Sequence, residues 1–392
     1  MTDSTDIRPF RIDIPQADVD DLRDRVQKTR WPADRGDDWS RGVPGPYLRN
    51  LADYWTSGYD WRAEEAKLNR WPQFTTTIDG QTIHFVHVRS AEPGATPLIM
   101  THGWPSSPVE FLQVIEPLTN PAAFGGDPAD AFDVVIPSLP GYGLSTPMAD
   151  GWGNLFKVAM AWAELMDRLG YARYAVHGTD AGSGVAGMVA MVAPDRVIGV
   201  HLTGTTAAMP FGPPLSLDGL TGLDRDRAER FNRYQAEDLG YLHLQSTRPQ
   251  TLAYALTDSP VAQLAWIAEK FYQWTDPAAK LPEDAVDRDQ LLTNVSLFWF
   301  TQSGASSAHA TYEGMQAWRQ LASQEHEAPA GDAPPGPPMG VAVFAADTTI
   351  RSIMDPAGSF THWAEYDRGG HFPAMEVPDL LAADLGAFFR GR

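Results

Sequence analysis

Four times in this chain a short apolar run, rich in β-forming residues, stops at a glycine or an acidic residue. The runs are "PLIMTHG", "FDVVIPSLPGYG", "YAVHGTDAG" and "GVAVFAAD". Strands that are apolar throughout are buried on both faces, and such strands belong to a parallel sheet covered by helices. The segments between them, "SPVEFLQVIEPL" and "NLFKVAMAWAELMDRLGY", have helical spacing, and "RVIGVHLTG" adds another strand. This alternation restricts the fold more than any other feature. It sets an α/β class with a mostly parallel sheet.

The alternation is interrupted once. From about Phe211 to Leu321 the chain is aromatic-rich and helical, without buried strand runs. "APAGDAPPGPPMG", Ala328 to Gly340, reads as a linker. The strand pattern then resumes and ends in the helix "PDLLAADLGAFFR". A helical insertion into an α/β core implies a cap over the carboxyl-terminal edge of the sheet. Ahead of the core, "IPQADVDDLRDRVQKTRWP" reads as an amphipathic helix with Val19, Leu22 and Val26 on one face. "YLRNLADYWTSGYDWRAEEAKLNRWP" reads as a second helical region. "FTTTIDGQTIHFVHV" is a hairpin turning at Asp79-Gly80. The expected division is an N-terminal extension over 1–75 packed on the core, core over 76–210, a helical cap over 211–327, and core again over 328–392.

Composition removes several classes of function. With 30 basic and 50 acidic side chains the formal charge is −20, which repels phosphate backbones and anionic lipid. Nucleic acid is therefore not an expected partner. The chain has no cysteine, so thiolate nucleophiles, disulfides and Cys-ligated metals are excluded. The N-terminal "MTDSTDIRPFRIDIP" has no apolar signal region, and no window reaches the 18 or so apolar residues of a membrane span. The expectation is a cytoplasmic protein with no cofactor and no membrane partner.

The chemistry concentrates at one corner. In "YAVHGTDAGSGVAGMVAM" a strand turns sharply into a helix of small residues, with Gly178 and Gly182 two positions to either side of Asp180. That is the spacing of a nucleophile elbow, in which small flanking residues let strand and helix approach and the central side chain stands exposed. The central residue here is a carboxylate. A carboxylate nucleophile can open a strained ring or displace a halide, leaving an alkyl ester that water must then hydrolyse. Hydrolysis needs a base, and His371 in "RGGHFPAME" lies where a base belongs in this chain order. Its acidic partner is expected at the end of the preceding strand, at Asp347, with Asp355 and Glu365 as rivals. Two backbone N–H groups are expected to form an oxyanion hole, those of Ala181 and of Trp104 in "HGWP". His102 and His177 read as structural groups holding loops nearby.

Taken together, "KTRWP", "DYWTSGYDWRAEEAKLN", "THGWPSSPVEF", "PSLPGYGLS", "GTDAG", "TRPQTLAYALTDSPVAQLAWIAEKF", "LLTNVSLFWF" and "DRGGHFPAMEVPDLL" resemble the microsomal-type epoxide hydrolases of the α/β-hydrolase superfamily. The resemblance runs from about Phe10 to the C-terminus. It implies conversion of an epoxide to a vicinal diol, with Asp180 as nucleophile, His371 as base and Asp347 as the acid. It also implies two cap tyrosines that hydrogen-bond the epoxide oxygen. Tyr241 in "DLGYLHLQ" matches the first. The second falls on Thr311 in "SSAHATYEGM", with Tyr312 one residue later; Tyr312 is the expected donor, with Thr311, or Tyr241 alone, as the alternatives. The residue after the nucleophile, commonly Trp in the family, is Ala181. Partners are a small epoxide, bulky or aryl to judge from the aromatic cap, and water; a homodimer is left open. Relatives act in natural-product biosynthesis, including enediyne antibiotics, or in degradation, and the departures incline the expectation toward biosynthesis.

Two other readings compete. A haloalkane dehalogenase shares the Asp nucleophile, but it commonly places an indole directly after that residue, and Ala181 and Tyr241 argue against it. A binding protein that kept the fold and lost catalysis is opposed by the complete Asp, His and acid set.

Overall fold

The computed structural model describes residues 6–206, 208–323 and 336–392. Its sheet has nine strands: β1 Arg8–Phe10, β2 Gln73–Ile78, β3 Gln81–Val88, β4 Thr96–Thr101, β5 Phe132–Pro137, β6 Tyr174–Thr179, β7 Val197–Thr203, β8 Met339–Val343 and β9 His362–Glu365. The order across the sheet is β1-β2-β3-β5-β4-β6-β7-β8-β9. The first three strands and the β3–β5 pair are antiparallel, and from β5 to β9 every pairing is parallel. The hairpin turns where expected, with Asp79 and Gly80 both at positive φ. That is the conformation a two-residue turn between twisted strands demands. β1 is not foreseen by the sequence reading. It is three residues long and contains Pro9, which suits an edge strand.

The apolar strand runs are explained by the packing. In β4, Leu98 and Met100 join one core with Phe111, Leu381 and Leu385, while Ile99 joins the other with Trp162 and Val185. β5 divides in the same way, with Val134 and Ile136 on one face and Val135 on the other. Successive side chains alternate between faces, so a strand covered on both sides has no polar half. The helix Leu155–Arg168 covers one face; Asn154 caps it by accepting the Phe156 N–H, and Val158, Trp162 and Leu165 are buried.

Between Thr203 and Met339 the described residues contain helices and no strand. The main ones are Gly222–Arg233, Gly240–Thr247, Pro249–Asp258, Pro260–Trp274, Arg288–Phe300 and Ser303–Ala322, with a π-helical turn at Tyr234–Asp238. Pro249 and Pro260 begin their helices, where a missing N–H costs nothing. Most of the expected linker at 328–340, and the 327/328 boundary itself, lie outside the described residues.

The second N-terminal helical region is two helices, Gly45–Ser57 and Trp61–Leu68. They are separated where Asp60 caps the latter by accepting the Arg62 and Ala63 N–H groups. These helices are tied to the inserted one. Tyr54 donates to Asp289 at 2.8 Å, the Trp55 indole donates to Ser296 at 2.8 Å, and Tyr59 shares a 3.0 Å hydrogen bond with Thr293.

Candidate active site

β6 ends at Thr179 and the helix Ala181–Val192 begins at Ala181, so Asp180 alone makes the corner. It does so at φ 54° and ψ −125°, a conformation that side-chain-bearing residues adopt rarely and at a cost of about 1–3 kcal/mol. The two glycines are required by contact. A Cβ on Gly178 would lie 2.0 Å from the Gly182 carbonyl oxygen, and one on Gly182 would lie 2.1 Å from that of Thr101. Nothing but hydrogen fits at either position. Gly103 is equally constrained, because a Cβ there would meet Asp180 Oδ1 at 2.2 Å.

That close approach brings the loop after β4 onto the carboxylate. The Trp104 N–H donates to Asp180 Oδ1 at 3.0 Å. The Ala181 N–H belongs to the first turn of its helix, among the N–H groups that lack an intrahelical acceptor. His102 holds this loop from below. The Leu139 N–H donates to its Nε2 at 3.1 Å, so the ring proton sits on Nδ1, which faces the Gly103 carbonyl at 3.0 Å. Burial pushes the His102 pKa down to about 4, in keeping with this neutral structural role.

On the other side of Asp180, His371 Nε2 stands 3.5 Å from Asp180 Oδ2. Burial works against the charged imidazolium, but Asp180, with Asp347 and Glu110 behind it, outweighs burial and raises the His371 pKa above its ordinary value. The histidine loop is gripped by the end of the helix Pro260–Trp274. The His371 backbone N–H donates to the Trp274 carbonyl at 2.8 Å, the Gly369 N–H to Asp276 at 2.7 Å, and the Asp276 N–H to Glu376 at 2.7 Å. The Trp274 and His371 rings lie 5.0 Å apart.

Of the three acids offered by the sequence, Asp347 shares a cavity with Asp180 and His371. Its carboxylate accepts the Phe344 N–H at 2.8 Å, and no hydrogen bond joins it to His371 among the described residues. Burial raises its pKa to about 6, against the pull of His371, Arg227 and Arg230. The rivals are occupied elsewhere: Asp355 accepts from Ser359 and Phe360, and Glu365 pairs with Arg227 at 3.2 Å. Sequence reasoning passed over Glu110, which lies under the site. Its Oε1 is buried without a partner among the described residues, and burial pushes its carboxyl up to about 7.

Tyr241 faces Asp180 from the inserted helices. Its ring lies flat on Trp104, with centroids 4.9 Å apart, and the Lys270 ammonium is 4.6 Å from its centroid. Burial first, and then the neighbouring Tyr234 phenol and Asp180 carboxylate, raise its pKa well above the usual value. Its hydroxyl is 3.0 Å from that of Tyr234, a residue the sequence reading did not single out. Tyr312 is not brought into this group. It makes no hydrogen bond or ring contact among the described residues, and the hydroxyl of its neighbour Thr311 donates to the Ser307 carbonyl at 3.0 Å. One residue on a helix is a rotation of about 100°. The cavity, about 890 Å³, is also lined by Trp39, Tyr272, Trp274, Arg230 and Arg233. Trp39 comes from the N-terminal extension and stacks on Tyr272 at 3.8 Å.

A carboxylate fixed by a backbone N–H, a histidine beside it and phenols opposite make a set that can attack an electrophilic carbon, protonate a leaving oxygen and activate water. Comparison with known proteins agrees in kind. Residues 7–111 match the family described as epoxide hydrolase N terminus, and residues 96–332 match the alpha/beta hydrolase fold. A protein of Stigmatella aurantiaca, named provisionally as an epoxide hydrolase, is 42% identical over 98% of this chain and 85% of its own length. Epoxide hydrolase 1 of Sus scrofa is 33% identical over 97% of this chain and 88% of its own. The solved structure of Aspergillus niger epoxide hydrolase superposes with a TM-score of 0.82 at 32% identity, covering 99% of this chain and 97% of that one.

Proposed function

The chain belongs to the epoxide hydrolase family of the α/β-hydrolase fold, and on that footing we propose that it converts an epoxide to a vicinal diol through a covalent ester on Asp180. The observation that carries the proposal is the setting of the Asp180 carboxylate. One oxygen is held by the Trp104 N–H, and the other is 3.5 Å from His371 Nε2, at a strained corner facing the cavity.

In this reading the free Asp180 oxygen attacks a ring carbon. The carbon–oxygen bond breaks, and the electron pair goes to the epoxide oxygen. Tyr241 donates its phenolic proton to that oxygen, since an alkoxide is too basic to leave unassisted. Water then attacks the ester carbonyl while His371 accepts its proton. The negative charge that develops rests on the N–H groups of Trp104 and Ala181. The tetrahedral centre collapses with cleavage of the ester carbon–oxygen bond, and the departing oxygen takes the remaining water proton from the new carboxyl group, which leaves Asp180 a carboxylate. The diol departs, and the histidine proton returns to the phenolate by way of solvent. Asp347 supports His371 through its charge and its place in the same cavity. An alanine directly after the nucleophile leaves more room beside Asp180 than an indole would. With the cavity volume and the aromatic walls at Trp39, Tyr272 and Trp274, this favours a bulky or aryl epoxide.

A single turnover of styrene oxide by excess enzyme in 18O-labelled water tests the proposal. Ester chemistry leaves the first diol largely unlabelled and carries label into Asp180, and Asp180→Asn reduces diol to background. A first diol that already carries the label means direct attack by water, and the role given to Asp180 is then wrong.

A further inference from the structure

The ester mechanism leaves open how one buried phenol can yield a proton to an alkoxide. Burial opposes a phenolate at Tyr241, as does Tyr234 while it accepts the Tyr241 proton, and so does the nearby Asp180 carboxylate; turned to donate, the Tyr234 hydroxyl would support one instead. A phenol in that setting needs a donor of its own. The second cap tyrosine implied by the resemblance does not supply one. Position 311 is a threonine whose hydroxyl donates to the Ser307 carbonyl at 3.0 Å, and Tyr312 has no polar contact among the described residues.

Tyr234 is placed for that role. Its hydroxyl is 3.0 Å from the Tyr241 hydroxyl, it lines the same cavity as Asp180 and His371, and its ring packs beside Phe231. It stands at the start of the π-helical turn Tyr234–Asp238, immediately before the helix that carries Tyr241. Such turns insert an extra residue into a helical stretch and are frequent at functional sites. The two tyrosines are seven residues apart, and in this chain the turn lies between them. Tyr142, the other phenol near Asp180, makes no hydrogen bond to Tyr241 among the described residues; the partner of Tyr241 is Tyr234.

We propose that Tyr234 is a positioning residue for ring opening, acting through Tyr241. When the epoxide carbon–oxygen bond breaks, the Tyr241 proton passes to the alkoxide and the Tyr241 oxygen becomes a phenolate. Tyr234 keeps its own proton and donates it as a hydrogen bond to that phenolate. The hydrogen bond strengthens as charge develops, so it lowers the barrier to alkylation more than it tightens substrate binding. When the histidine proton reaches Tyr241 after ester hydrolysis, the pair returns to two neutral phenols. The proposal rests on the ester mechanism above.

The test is single-turnover kinetics with styrene oxide on the full chain. Tryptophan fluorescence follows alkylation, because Trp104 stacks on Tyr241, and intact-mass spectrometry follows the ester on Asp180. Tyr234→Phe removes only the hydroxyl. The maximal alkylation rate is expected to fall about 10- to 100-fold, the effect of losing a hydrogen bond to a charged group. The half-saturating epoxide concentration and the rate of ester hydrolysis are expected to stay within about twofold, whereas a merely structural role would move all three. In a Tyr241→Phe background, Tyr234→Phe is expected to change nothing further. Tyr312→Phe is expected to alkylate at the parent rate.

Equal alkylation by Tyr234→Phe and the parent overturns the proposal. So does a loss as large in the Tyr241→Phe background as in the parent, or a loss confined to Tyr312→Phe. Absence of any ester mass on Asp180 in the parent and in His371→Gln, in which the ester should accumulate, refutes the ester mechanism itself and is read separately.

Discussion

At the scale of single residues, the charge on Asp180 sets the state of its neighbour. Asp180, Asp347 and Glu110 together hold the His371 pKa above its ordinary value, against burial. A base with a raised pKa is protonated over a wider range of pH, which is the wrong state for accepting a proton from water. In the proposed mechanism, ester formation would cancel the Asp180 charge, and the imidazolium would lose its nearest support just when a neutral imidazole is needed. Asp180→Asn mimics that cancellation. NMR titration of the His371 ring is expected to give a lower pKa in the variant than in the parent, and ester hydrolysis is expected to lose rate only below that lower value. An unchanged pKa would mean that Asp180 does not control the base. The residues that define this corner were legible because their reasons are local: glycine two positions to either side of a carboxylate is a pattern that can be read without coordinates. Tyr234 was not legible, because no local rule marks a tyrosine whose partner is reached through an irregular turn.

At the scale of elements, the elbow depends on a helix packed against a loop with no space between their backbones. Gly182→Ala drives a methyl group into the Thr101 carbonyl, 2.1 Å from the ideal Cβ, and another carbonyl, that of His102, lies 2.8 Å away. Backbone on both sides cannot give way as a side chain can. Urea unfolding is expected to show a loss of about 1–3 kcal/mol. Epoxide turnover is expected to fall further than that loss explains, because the Trp104 N–H moves with the displaced loop. The strands of the parallel sheet were readable from their unbroken apolar runs. The face presented by the helix Ser303–Ala322 was not, since Thr311 and Tyr312 differ by one position and only packing decides which of them points inward. The part played by Trp39 at the cavity wall was also hidden. It comes from stacking on Tyr272, more than 200 residues away in sequence.

At the scale of the whole molecule, several buried acids set how stability responds to pH. Burial raises Glu376 to about 8, Glu110 to about 7 and Asp347 to about 6. A carboxyl whose folded pKa is raised contributes stability fully below its unfolded pKa and loses it as pH climbs toward the folded value. These three therefore weaken the fold as pH rises from about 4.5 toward 8. Asp384 acts in the opposite sense. Burial opposes its charge, but hydrogen bonds from His201, Tyr366 and His362 outweigh burial and lower its pKa to about 2. Its contribution is lost as pH falls from about 4 to 2. Burial also lowers the pKa values of His84, His87, His102 and His177, so their protonation costs stability as pH falls below about 6.5. Urea unfolding across pH 3 to 9 is expected to give greatest stability near pH 6, between the two sets of groups, and a maximum at pH 8 or at pH 4 would contradict these assignments. The formal charge of −20 adds to the acid-side pull, since self-repulsion eases as carboxylates take up protons.

The grip of Trp274 and Asp276 on the histidine loop makes the helix Pro260–Trp274 and that loop one mechanical part, as an interlock joins a door to a switch. The carbonyl that ends the helix Pro260–Trp274 fixes the backbone of His371, so any displacement of that helix would carry the ring facing Asp180 with it.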